Sequence, residues 1–116
     1  MVNNSGIVML GVIEDLSRED LKKQFEVNVF GLHELTNRLV PTMRDQGWGR
    51  IVNISSIYAV LSAPIVSRYC ASKYALEALS YAQIMELSGS GVGLSLVDPG
   101  LIVPCFRRNV YESLKN

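Results

Sequence analysis

Metal ligands are scarce in this chain. It has one histidine, His33, and two cysteines, Cys70 and Cys105, and no cluster of Cys, His and acids at ligand spacing, so a metal site is not expected. Two cysteines also make no disulfide framework. Cys70 falls inside a helical pattern, which fits a reduced, cytoplasmic setting. Charge of one sign is missing too: eleven basic and eleven acidic residues cancel, and no basic patch recommends nucleic acid or an anionic membrane as partner. Long hydrophobic runs are absent. The opening run from Gly6 to Ile13 is short, has no basic residues before it and meets Glu14-Asp15 at once, so it reads as neither a signal peptide nor a membrane span. There is no internal repeat and no low-complexity tract.

What is present is a chain of 116 residues, 48% of them hydrophobic, which is enough for a core and for a single small domain over 1–116. Met1 to Gly6 reads as the end of a strand followed by a turn. Ser17-Arg18-Glu19-Asp20 marks a helix start, with a hydroxyl cap and acids near the positive end of the dipole. Leu21, Phe25, Leu32, Leu35 and Leu39 then recur at helical steps and predict one apolar stripe. Asn28 falls on that stripe and needs partners there, whether for structure or for chemistry. Gly31 invites a local kink, Pro41 predicts a kink or interruption, and Gly47 the end of the helix. His33 reads as packing or surface.

Arg50 to Ser55 is a β-branched run with the length and composition of a buried parallel strand. The following loop, from Ile57 to Arg68, is unusually apolar. A helix is expected from Ser67 to Leu87, with Ala71, Ala75, Ala78, Ala82 and Met85 on one stripe and Tyr74, Tyr81 and Ile84 away from it. So much apolar circumference predicts burial on more than one side. Ser88 to Gly91 ends it, Gly93 to Val97 is a strand, and Asp98-Pro99-Gly100 turns at its carboxyl end.

The chemistry concentrates in Tyr69-Cys70-Ala71-Ser72-Lys73, with Ser56 thirteen residues upstream. Tyr69 and Lys73 are four apart and project from the same helix face. A nearby ammonium favours a phenolate, so Tyr69 is expected below its ordinary range, where it exchanges protons with an alcohol or ketone. Ser56, at the mouth of the strand, is placed to bind the same oxygen.

Ser56, Tyr69 and Lys73, in the frame Ile-Ser-Ser…Tyr-Cys-Ala-Ser-Lys, resemble the catalytic segment of the short-chain dehydrogenases/reductases. Asn3-Asn4-Ser5-Gly6, Val27-Asn28-Val29-Phe30-Gly31 and Asp98-Pro99-Gly100 follow that family's order, over essentially the whole chain. The resemblance implies an α/β fold: a partial, truncated Rossmann-type doubly wound parallel sheet in three α/β/α layers. It implies NAD or NADP as cofactor, and an alcohol or ketone as substrate. It assigns Ser56 to polarise the substrate oxygen and Tyr69 to pass the proton. Lys73 would tune the tyrosine and hold the nicotinamide ribose, and Asn28 would hold a relay water. Asn3, Asn4, Ser5, Gly6, Tyr69, Lys73, Pro99, Gly100 and Ile102 would line the cofactor.

Three positions depart from the family pattern. Ser5 replaces an alanine, Ala59 a glycine, and Pro104 the threonine that helps to anchor the nicotinamide amide. The family's glycine-rich nucleotide turn is missing, so the chain resembles the catalytic half of such an enzyme. The alternative is a truncated, non-catalytic fragment acting through packing with a partner chain. Val60, Leu61, Ile65, Val66, Leu101 and Ile102 suggest an apolar substrate. The helices over 18–46 and 67–87 suggest a homo-oligomer. The choice between NAD and NADP rests on residues outside the sequence.

Overall fold

The computed structural model describes residues 1–100. Three strands, β1 (Val2–Asn3), β2 (Gly49–Ile54) and β3 (Val92–Val97), form a parallel sheet in that order. Val2 pairs with Val52 and Asn3 with Asn53, while β2 and β3 run in register from Gly49 with Val92 to Ile54 with Val97. Parallel neighbours need long crossovers, and helices provide them. The first holds α1 (Arg18–Phe25), a π-helical turn (Glu26–Phe30) and α2 (Gly31–Gln46); the second holds α3 (Ser67–Glu86).

Both crossovers cover the same face. Asn3 and Asn53 are register partners and so point the same way. Asn3 Nδ2 donates to Asn53 Oδ1 at 2.7 Å and to Thr36 of α2 at 3.3 Å, while Asn53 Nδ2 donates to Ser80 of α3 at 2.9 Å. The described residues therefore build the sheet and one flanking helical layer of a Rossmann-type arrangement. Its apolar core is Val40, Ile51, Leu87, Val92 and Leu94, towards the amino-terminal ends of β2 and β3. Within the described residues no helix is long and apolar enough to cross a membrane.

Several helix signals are realised as written. Ser17 closes a capping box with Asp20, and Gly47 ends α2 in the left-handed conformation. Two expectations are corrected. Pro41 does not interrupt α2: it lies on the exposed side, where water can satisfy the carbonyl left without its usual donor. The break comes earlier, as the π-helical turn that Gly31 closes by donating its N–H to Glu26 O. Second, the leucine stripe is not the buried line, because Leu21, Leu35 and Leu39 are exposed. The buried positions are Gln24, Asn28, Val29, Leu32, Thr36 and Val40, half of them polar groups with partners. In α3 the alanine stripe is largely exposed with Met85. Its inner face carries Tyr69, Ser72, Lys73, Leu76, Glu77 and Ser80.

The turn before β3 is the tightest joint. Gly91 has φ 81°, and a Cβ there would overlap the Gly47 carbonyl, whereas Gly89, at φ 77°, has open space around it. Ala at Gly89 should cost only the left-handed penalty, about 1–2 kcal/mol. Gly91→Ala should cost more than Gly89→Ala, since a backbone contact must also yield. Urea unfolding of the two variants measures the difference, and equal losses would show that the contact relaxes freely.

Candidate active site

The carboxyl ends of β1 and β2 and the first turns of α3 meet at one place, and Asn28 ties them. It is fully buried in the π-helical turn. Its Oδ1 accepts the Ile7 N–H at 2.9 Å, and its Nδ2 donates to Ile7 O at 3.0 Å and to Ser72 Oγ at 3.1 Å. Ser72 Oγ in turn donates to Tyr69 O at 2.7 Å. Gln24, one turn earlier, binds the same segment, accepting Met9 N–H at 3.0 Å and donating to Ile7 O at 2.6 Å. A second tie joins the loop to α3: Gly11 N–H donates to Ile65 O at 2.9 Å and Arg68 Nη2 to Leu10 O at 2.6 Å.

These ties hold Ser56, Tyr69 and Lys73 together. Ser56 is buried just past β2; its Oγ accepts the Tyr58 N–H at 3.1 Å and interacts with the Tyr69 side chain. The Tyr69 ring meets Tyr58 edge-on at 6.2 Å. Lys73 is 4% exposed, donates to Ile54 O at 3.0 Å and stands 5.7 Å from the Tyr69 ring centre. Gly6 completes the group, since a Cβ there would lie 3.7 Å from Asn28 Oδ1 and 3.9 Å from Lys73 Nζ.

Electrostatics correct one expectation. Burial pushes the Tyr69 phenol above its ordinary range, although its interaction with Ser56 pulls the other way. The Lys73 ammonium is turned to Ile54 O and does not produce the lowering read from the spacing. Burial also lowers Lys73, with Asp98 and Glu77 opposing. As found, the site holds a protonated phenol beside a buried lysine.

The other predicted residues divide. The Asn3 side chain faces the helical layer, bound to Asn53 and Thr36, and is not brought to the site. Asn4, Ser5 and Gly6 lie exposed beyond β1, Pro99 O accepts the Ile57 N–H at 3.2 Å, and Gly100 is exposed. Ile102, like Leu101 and Pro104, lies outside the described residues. Ser72, Gln24 and Glu77 were not singled out from the sequence. Their signal was there: Gln24, Asn28, Leu32 and Thr36 recur at four-residue steps, as do Tyr69, Lys73 and Glu77.

A family model described as short chain dehydrogenase matches residues 1–115. The chain belongs to the short-chain dehydrogenase family. It is 47% identical over 111 residues to the uncharacterized oxidoreductase YbbO of Escherichia coli K12, covering 96% of this chain and 41% of that protein. It is 39% identical over 100 residues to the mitochondrial D-beta-hydroxybutyrate dehydrogenase of Mus musculus, covering 86% of this chain and 29% of that one. Among solved structures, a putative NAD(P) dependent gluconate 5-dehydrogenase from Beutenbergia cavernae, with bound NADP at low occupancy, superposes with a TM-score of 0.90. The two are 30% identical, over 98% of this chain and 46% of that one. A short-chain dehydrogenase from Streptomyces avermitilis gives 0.84 at 40% identity, over 88% and 38% of the two chains. The chain thus spans less than half the length of these relatives.

Replacing Asn28 by Ala should leave the Ile7 N–H without its acceptor, at a cost of about 1–3 kcal/mol. Amide exchange at Ile7 should accelerate well beyond that in β2. Unchanged protection there would show that Asn28 does not hold the loop.

Proposed function

We propose that this chain is the catalytic half of an NAD- or NADP-dependent oxidoreductase that transfers hydride between the nicotinamide and an alcohol/carbonyl pair. The observation that carries the reading is the convergence of Ser56, Tyr69 and Lys73 beyond the carboxyl ends of parallel strands, where open α/β sheets bind ligands. The residues fit the ribose end of such a cofactor, because bare Gly6 leaves room for a sugar hydroxyl beside Lys73 and Asn28. When bound, the nicotinamide supplies or accepts the hydride.

The protein's own part is position and protons. Ser56 orients the substrate oxygen. Tyr69, kept protonated by burial, is in the form needed to give a proton to that oxygen as its carbon is reduced, and takes it back in the reverse direction. Lys73 holds the ribose and supplies positive charge near the phenol. Asn28 serves the relay through position, since its amide is engaged with Ile7 and Ser72. The exposed side chains of Val60, Leu61 and Ile65 favour an apolar alcohol or ketone. The exposed apolar residues of α2 and α3, Leu35, Leu39, Leu79 and Met85 among them, favour a homo-oligomer. Buried, unpaired Cys70 suits a cytoplasmic setting.

In the complete enzyme, Tyr69→Phe should lower turnover by about 10²–10⁴-fold with folding retained. Near-normal turnover would remove Tyr69 from the proton path.

A second reading is a packing fragment without catalysis of its own; the chain spans 41% of the YbbO relative. A pyrophosphate usually rests on a glycine-rich turn and the helix after it, neither of which is in this sequence. The 116-residue chain by itself should therefore bind neither cofactor in calorimetric titration and turn over no ketone. Micromolar binding with turnover would show a complete minimal enzyme.

A further inference from the structure

We propose that Arg68 is a positioning residue that latches the apolar wall of the site. It fastens the segment ending at Val66 to the loop after β1, so that the wall is in place before a substrate arrives. This role rests on Ser56, Tyr69 and Lys73 being the reacting centre, and it belongs to a residue which that chemistry does not use.

The Arg68 side chain is 6% exposed in the first turn of α3, directly before Tyr69. Its Nη2 donates to Leu10 O at 2.6 Å, and its Nη1 lies 3.9 Å from Asp20 Oδ1. Asp20 is itself fixed, because its other oxygen, Oδ2, accepts from Ser17 Oγ in the cap of α1. One guanidinium thus reaches the loop after β1 and the start of α1. Gly11 lies against it, and a Cβ there would be 2.6 Å from Nη2. Gly11 N–H in turn donates to Ile65 O at 2.9 Å, so a backbone bond and a side-chain bond join the same two segments.

Two features indicate that the fastening serves orientation. A buried cation is a weak source of stability, since an apolar side chain of like volume often does as well without the desolvation. Arg68 is also only partly used: among the described residues its buried Nε has no hydrogen-bond partner, and its acid stands at 3.9 Å and is partly exposed. The second feature is Ile65. It has φ 70° in the turn with Pro64, a conformation in which glycine is usual and a β-branched residue is an outlier. Such a conformation persists only where its neighbours hold it. The Gly11 bond holds Ile65 directly, and Arg68 holds the loop that carries Gly11. Released, Ile65 returns to the ordinary region and the wall it shares with Val60 and Leu61 rearranges.

Two substitutions release the latch in different ways. Arg68→Met removes the guanidinium and keeps much of its bulk. Gly11→Ala keeps the guanidinium but drives Nη2 off Leu10 O, and Gly11 is not left-handed, so the backbone accepts alanine. Amide exchange in the 116-residue chain, read at position 11, should accelerate by about tenfold or more in each variant. Exchange at Ile7, which Asn28 holds, should stay as it is. The double variant should exchange no faster than either single one, because both break the same contact. Arg68→Lys keeps the charge and one donor for Leu10 O, and should restore part of the protection. In the complete enzyme, with 2-octanone as probe, Arg68→Met should raise KM by about tenfold and leave kcat within about threefold. Unchanged exchange at position 11, multiplied effects in the double variant, or equal acceleration at Ile7 and in β2 would overturn the latch. So would a fall in kcat with KM unchanged. If the complete enzyme does not reduce 2-octanone, the proposed function loses its apolar substrate, and exchange at position 11 still decides the latch.

Discussion

The amide of Asn28 is where the strands, the first crossover and α3 are joined. One acceptor and two donors meet the Ile7 backbone and Ser72, so the loop after β1 cannot move without breaking bonds to a fully buried amide. Each such bond contributes only about 1 kcal/mol net, but a buried group left unpaired costs more. The π-helical turn has a consequence here. One extra residue in the turn shifts the faces on either side of it, and Asn28 and Val29 are both buried within it. Gly31 makes room, since a Cβ there would come within 3.2 Å of Glu26 O.

Desolvation then decides the electrostatics. Tyr69 and Lys73 occupy a face that in an ordinary amphipathic helix would be leucine. Taking a phenol and an ammonium out of water drives both towards their neutral forms, and hydrogen bonds and nearby acids only partly reverse this. Spacing alone predicts attraction between the two side chains. Burial supplies an opposing effect that spacing does not contain, and it is the larger one for Tyr69.

That difference explains what was legible in the sequence. Local signals were sufficient for the cap at Ser17, the stop at Gly47, the extents of β2, α3 and β3, and the meeting of Ser56, Tyr69 and Lys73, because each depends on near neighbours or a specific motif. The inner face of the first crossover was misread for one reason. Hydrophobicity assigns the inside to leucine, whereas Gln24, Asn28 and Thr36, like Ser72 and Ser80 of α3, are buried through partners distant in sequence: Met9 and Ile7, Ile7 and Ser72, Asn3, Asn28, and Asn53. A polar residue at helical spacing is ambiguous until those partners are in place. Pro41 was misread because a proline's cost depends on whether water reaches the carbonyl it strands.

The alternation of β2 shows how a core is converted into a site over a few residues. Ile51, Asn53 and Ser55 share the inward face and are all buried, yet their surroundings change in sequence. Ile51 packs with Val40, Leu87 and Leu94, Asn53 bonds Asn3 and Ser80, and Ser55 approaches the Glu77 carboxyl. Helix α3 runs the other way, and reading it backwards gives Leu87, Ser80, Glu77 and Lys73 opposite those positions. Apolar burial at the amino ends of the strands supplies cohesion that directed polar contacts cannot provide alone. The polar contacts at the carboxyl ends supply orientation that apolar burial cannot. A Leu at Asn53 would extend the core by one layer and leave Ser80 without its Asn53 donor and Asn3 with Thr36 as its remaining acceptor. The boundary between core and chemistry is therefore set by the identity of one inward residue.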